Sequence, residues 1–365
     1  MALLARGAKG AAVAMALGAL LSAGAQPLAI GEARADEAKA PAPAAAPAAA
    51  SPVSAATASP ACVLAGTEPV PKGLQIFDAP SGGRVIGSFS GAFASLRLSE
   101  LPADPAAGRA RVSTSLGSGP GSVRLDGWVA PATIPVYTAR DISVMGGHVW
   151  ISTAQKIKLV QAAAGSLTGE VTILGTDGQT TKASAPCDAF TLQRGTPTAI
   201  EVPGNGRGYL MKTTSIELFD APNGNAVFAL QMNEGSAQLF WSTESRAGFV
   251  HVKARSDLTL DAWARFRDLE PLKKGEMMDQ FVPPTTTIQG AQLALDPLPR
   301  VVRATKEIPI RMRRDAKDAP VGAVEVGAEI YVLQTMTGWS SILPKSLALT
   351  APDDGGFWIP SSEVP

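Results

Sequence analysis

The chain carries few residues that could do acid–base or metal chemistry, and their spacing does not assemble them. Only two histidines occur in 365 residues. His148 lies in Gly-His-Val-Trp and His251 in Phe-Val-His-Val, apolar alternations of a strand in which a histidine is satisfied by its neighbours. Hydrolysis through either would need a nucleophile and an orienting partner. The sequence has no Gly-x-Ser-x-Gly elbow, no His-Glu-x-x-His, no Cys-x-x-Cys and no phosphate loop. We therefore expect no catalytic residue, no metal set and no cofactor, and hence a non-enzymatic protein. Asp353-Asp354 before Gly355 reads as a hairpin turn whose adjacent carboxylates would hold calcium only weakly. Cys62 and Cys187 either form a disulfide, as an even count does in an oxidising compartment, or sit apart as buried thiols.

Tryptophan and arginine offer binding chemistry instead. Of the six tryptophans, Trp128, Trp263 and Trp358 precede similar closing sequences and are expected to wall the core. Trp339 and Trp241 belong to other strands and are the candidates for an exposed groove, where an indole gives a platform for a peptide or a sugar. In the run Ile310 to Arg314, alternation sets Ile310 and Met312 on one face and Arg311 and Arg313 on the other. Arg314 extends the row, and Lys306 and Lys317 lie nearby. This basic row either protects an edge strand as a solvated face or binds an anionic cell-wall polymer.

Overall charge attracts nothing in particular, because Lys plus Arg and Asp plus Glu both number 32. A nucleic-acid partner is not expected. The amino terminus reads as a leader: Arg6 and Lys9, an apolar run over 11–22, then the small-x-small site Ala23-Gly-Ala25, with cleavage after Ala25. The run is too short to span a bilayer, so no membrane span is expected after cleavage. The mature protein is exported, to the periplasm or beyond. Residues 26–65, rich in Ala and Pro, lack aromatics and periodicity and read as a disordered tether.

What must position the candidate residues is a repeated β unit. Leu74-Gln-Ile-Phe-Asp-Ala-Pro-Ser-Gly82 returns as Ile216-Glu-Leu-Phe-Asp-Ala-Pro-Asn-Gly224, a short strand running into a tight turn. Trp128, Trp263 and Trp358 are each followed six positions later by an aliphatic residue (Ile134, Leu269, Val364), as if a single 3₁₀ turn led to an apolar plug. Ile157 and Leu159 align with Ile216 and Leu218 in a weaker copy, which closes with Pro186-Cys-Asp-Ala-Phe-Thr-Leu192, proline standing where the others have tryptophan. The reading is all-β: modules over 66–136, 137–195 (degenerate), 205–272 and 301–365, each a small barrel closing its own edges. Residues 273–300 are a linker, and the Ala-, Gly-, Pro- and Ser-rich stretch 101–122 is a floppy insertion.

The order of these features resembles the bacterial SH3-like family, met as tandem copies in exported proteins. The features are a strand with Asp-Ala-Pro-x-Gly, then Val-Gly-x-Val-x-x-Gly, Gly-Trp-Ser-x-Ile and a closing Trp. The likeness is fullest over 306–364, at Val321-Gly322, Gly327, Gly338-Trp339 and Trp358. It implies a binding or scaffolding role in the cell envelope, with peptidoglycan or its peptide stems as the ligand. The alternative is a protein–protein module that docks extended segments of an envelope partner. No pattern indicates an oligomeric state.

Overall fold

The computed structural model describes residues 61–117, 120–199, 205–236, 238–273, 299–352 and 355–364. The leader, the tether up to residue 60, most of the 273–300 segment and Asp353-Asp354 lie outside the described residues. Those described form an all-β structure with no helix of seven or more residues, and no helix among them is long and apolar enough to cross a membrane. Period-two patterning builds the strands. Val123–Val129 buries Val123, Leu125, Gly127 and Val129, and Leu258–Arg265 buries Leu258, Leu260, Ala262 and Ala264, while the residues between face outward.

Each Trp-x5-aliphatic closing contains a 3₁₀ turn: Pro131–Thr133, Phe266–Asp268 and Ser361–Glu363. Ile134 and Leu269 follow as buried plugs, and Val364 packs against the core. The second stretch has the same device, since Cys187–Ala189 is a 3₁₀ turn and Phe190 its buried plug. Ser184, not Pro186, therefore occupies the tryptophan position there. The repeated phrase also closes alike in both copies: Asp78 Oδ1 accepts Arg84 N–H at 2.9 Å and Asp220 Oδ1 accepts Asn225 N–H at 2.8 Å.

The offset that pairs Ile157 with Ile216 does not survive. Lys156–Ala163 pairs with Val136–Thr138 and Ser166–Thr172, as Glu329–Met336 pairs with Arg300–Arg303 and Trp339–Pro344. Both strands carry a bulge, between Leu159 and Gln161 and between Val332 and Gln334, a constant offset of 173 residues. The second stretch is thus the counterpart of the fourth, and its opening strand is Ile142–Met145. Two further expectations fail. The strand Leu64–Pro69 starts inside the expected tether, with Leu64 fully buried. The 101–122 insertion contains Ala110–Leu116, a strand whose buried Ala110, Val112, Thr114 and Leu116 were masked by intervening Arg and Ser.

The four sheets, of nine, five, ten and four strands, are open, and two of them run across repeat boundaries. Edges expected to close on themselves are covered by a neighbouring stretch instead, which equally removes unpaired backbone from solvent. Gly322–Val324 is laid against Val123–Leu125, and Leu349–Thr350 against Ser88 and Phe89. In the same way Val149–Ile151 is laid against Leu258–Leu260. Buried apolar residues of all four stretches form one contiguous core. A disulfide joins Cys62 to Cys187, with Cα atoms 5.3 Å apart, and ties the first strand to the turn that ends the second stretch.

Candidate functional site

Trp339 opens the strand Trp339–Pro344, on the far side of a two-residue turn, Thr337-Gly338, from Met336. Both turn residues have positive φ, 51° and 80°, as a tight hairpin of this hand requires. Beside the hairpin runs Phe357–Pro360, whose Phe357 and Ile359 are buried and whose Trp358 faces the other way. The loop leaving Ile308–Ile310 is clipped to this strand by a reciprocal backbone pair, Arg311 N–H to Trp358 O at 2.9 Å and Trp358 N–H to Arg311 O at 2.8 Å. Met312 then turns into the core, while Arg313, Arg314 and Asp315 turn out.

These pieces enclose an open groove of about 790 Å³ lined by Arg313, Arg314, Asp315, Thr337, Trp339 and Trp358, over a floor at Met312 and Gly355. Arg314 places its guanidinium 5.3 Å from the centre of the Trp358 ring and its Nη1 3.9 Å from the Met336 sulfur, a cation held against an indole face. Arg313 is exposed and makes no ion pair or hydrogen bond among the described residues. Asp315 uses one carboxylate oxygen to accept the Lys317 N–H at 2.9 Å. At the base of the hairpin, Glu329 pairs with Lys345 and Arg303. The hydrogen bond from Lys345, then that from Arg303, holds its carboxyl below the ordinary range. The arrangement offers two aromatic platforms, a cation without a partner among the described residues, and hydrogen-bonding side chains on one concave surface. It has the makings of a binding site, and its described residues hold no nucleophile–base pair.

The four candidate residues separate. Trp339 and Arg313 meet in the groove. Arg311 does not share their face: it is half-buried, and its guanidinium donates to the Asp318 carbonyl, so it braces the loop. Alternation stops being a guide at Arg311 because the chain there leaves the strand. Trp241 lies in the ten-stranded sheet, opposite Gly208 and Lys253, away from the lining of this groove. Trp358 completes the groove although it was not a candidate for it, and Arg314 of the expected basic row joins it there. The signal for Trp358 is its register between Phe357 and Ile359. The same parity corrects the expectation that closing tryptophans wall the core: Trp128, Trp263 and Trp358 are all half-buried on the outward side. Trp263 is capped there by His251, with ring centroids 4.8 Å apart and planes at 13°. His251 also hydrogen-bonds Asp261 through Nε2 at 2.5 Å, and His148 Nδ1 lies 3.1 Å from the Asp261 carbonyl oxygen. No cluster of three or more His, Cys, Asp or Glu suited to a metal occurs among the described residues.

No family model matches the chain, and no curated protein matches it. Two solved structures are weakly similar, NlpC2 and NlpC1 from Trichomonas vaginalis, each 11% identical with a TM-score of 0.15. The matches cover 44% of this chain and 48% of NlpC2, and 46% of this chain and 47% of NlpC1. The chain spans about half the length of each, and a likeness this slight supports no statement about its fold or activity.

Proposed function

We propose that this chain is an exported, non-enzymatic binding protein of the cell envelope, built from SH3-like modules, that takes a cell-wall polymer in the groove between Trp339 and Trp358. The observation that carries this reading is the convergence of two indoles from separate strands with Arg313, which has no partner among the described residues, on one open surface. Indoles supply large, rigid contact area, and an exposed guanidinium can pair with an anionic group. The Cys62–Cys187 bond supports export, because such bonds persist in oxidising compartments. The resemblance to SH3-like modules supports peptidoglycan or its peptide stems as the ligand. A protein partner is the second reading, favoured by Leu333 and Met336, 42% and 43% exposed on the hairpin that bounds the groove.

The test is co-sedimentation of the full chain with purified cell-wall sacculi at low and high salt, beside Trp339→Ala. Retention that weakens with salt and is lost in the variant, with its circular dichroism unchanged, is the expected result. Absence of retention at either salt refutes the polymer reading and directs attention to a protein partner.

A further inference from the structure

A second cleft lies where the hairpin of Ile142–Met145 and Val149–Ile151 meets the strand Leu258–Arg265. Its volume is about 330 Å³, and Asp141, Trp150, Lys253, Arg255, Thr259 and Asp261 line it. Register explains the grouping. Trp150 and Arg255 both stand opposite Thr259, and Lys253 stands opposite Asp261. All of these side chains occupy the outward parity of their strands, where alternation leaves them half-buried or exposed.

The charges in this cleft are matched, unlike those of the Trp339 groove. Arg255 grips Asp141 with two hydrogen bonds, 3.0 and 2.7 Å. Asp141 also accepts the backbone N–H and hydroxyl of Thr153 at 2.8 and 2.7 Å. Lys253 Nζ lies 3.1 Å from Asp261. A ligand that brought a net charge would have to break one of these pairs, whereas hydroxyl groups can add to them. Asp141 is filled by Thr153, Thr259 and Arg255, so that pair offers the remaining guanidinium N–H donors, and the Lys253–Asp261 pair offers donors and acceptors side by side. Trp150 supplies an aromatic face beside them. The bordering backbone is spoken for, because Val149–Ile151 runs between Ile142–Met145 and Leu258–Leu260 with both edges paired. An extended peptide therefore cannot join the strand that carries Trp150. A ring with apolar faces and an uncharged, hydroxyl-rich rim fits both halves of the cleft.

We infer that this cleft is a binding site for a neutral saccharide, one ring stacking on Trp150 while its hydroxyls bridge to the Arg255–Asp141 and Lys253–Asp261 pairs. It is independent of the Trp339 groove and differs from it in ligand charge. Asp141 suits the role. Burial alone would raise its pKa, but the hydrogen bonds from Thr153 and Arg255 outweigh that and lower it, so the pair stays ionised and its geometry fixed at neutral pH.

The test titrates the full chain with tri-N-acetylchitotriose and with maltotriose, read by calorimetry and tryptophan fluorescence. The expected result is saturable binding of at least one of these neutral probes, changing less than about twofold between roughly 50 and 500 mM salt. Trp150→Ala should weaken it about tenfold or more, and Trp339→Ala should leave it unchanged. Lys253→Met, an exposed change with no packing to lose, should weaken it about threefold and guards against loss of fold in the first variant. Failure of both probes to bind, binding that survives Trp150→Ala in a folded protein, or binding that depends on Trp339 would each overturn the inference.

Discussion

Replacing Gly322 by alanine would test whether the first and fourth stretches hold each other together. A Cβ at this position would stand 2.0 Å from the Arg124 carbonyl oxygen and 2.9 Å from the Leu125 Cα. Both are backbone atoms of the strand that Gly322–Val324 is laid against, so no rotamer change can relieve the clash. Ordinary contact begins near 3.4 Å, so the strands must part by about 1.4 Å, further than a good hydrogen bond tolerates. The bonds at stake are Asp126 N–H to Val321 O at 2.9 Å and Glu325 N–H to Ser122 O at 3.0 Å. The Ser122 N–H and hydroxyl add two more to Glu325, at 3.2 and 2.6 Å. Four bonds at about 1 kcal/mol each make the joint worth about 4 kcal/mol. For a chain of this size that lowers Tm by about 8 °C. Thermal unfolding followed by circular dichroism measures it, with Gly195→Ala as the control. There the new Cβ would meet only the Ala154 Cβ at 3.8 Å, and a change within about 0.5 kcal/mol is expected. If Gly322→Ala melts with the wild type, the two stretches do not depend on this joint and the description of one shared sheet is wrong.

The disulfide and the half-buried Arg255–Asp141 ion pair make further tests. The Cys62–Cys187 bond spans 125 residues of sequence, for which loop-closure entropy sets an upper value of about 5 kcal/mol and experience with such bonds about 2–4 kcal/mol. Cys187→Ser and reduction of the wild type should lower Tm equally, and no shift in either would mean the bond does not form in solution. Asp141 has a lowered pKa in the folded chain. Its stabilising contribution is therefore complete above the unfolded carboxylate value of about 3.9 and is lost as pH falls through the lower folded value. Asp141→Asn should remove that part of the acid dependence of Tm, and an unchanged acid limb would count against the Arg255 pairing.

Strands and closings were legible because they rest on local patterns. The Trp-x5-aliphatic spacing marks a 3₁₀ turn and its plug, since one turn of that helix consumes the intervening residues. Period two was likewise enough to bury Ile308 and Ile310. What escaped is what depends on partners distant in sequence. Arg311 looks equivalent to Arg313 in a strand, yet Trp358, nearly fifty positions later, draws its backbone into a bridge and turns its side chain toward Asp318. The strand Ala110–Leu116 escaped because its inward residues include Ala and Thr, and its outward ones are Arg and Ser. Size and polarity hid an alternation that its two neighbouring strands make unambiguous. The register of the second stretch escaped for a related reason. Ile157-Lys-Leu159 matches several openings as a string, and only its pairing with Val136 and Glu170's strand shows which strand it is.

The two candidate sites follow from one joint used twice with loops of different length. In both cases a hairpin of one stretch is laid against the first half of a long closing strand in another, Gly322–Val324 on Val123–Leu125 and Val149–Ile151 on Leu258–Leu260. The joint fixes the second strand of each hairpin and leaves the connecting loop unconstrained. In the fourth stretch that loop runs from Arg311 to Val321, long enough to carry Arg313 and Arg314 across to Trp358 and Trp339. In the second stretch the connection is only Gly146 to His148. With so short a turn, the outward residue of the strand, Trp150, stays beside the polar row of the neighbouring sheet, and Ala199 also borders the cleft. The long loop yields a groove in which Arg313 has no partner among the described residues, and the short turn yields a cleft whose charges are already paired. The difference in charge between the two proposed ligands would thus follow from loop length at a repeated joint. Transplanting the short turn in place of residues 311–321 should abolish salt-sensitive binding at Trp339 and leave the Trp150 cleft intact, and loss of both together would show that the two joints are not independent.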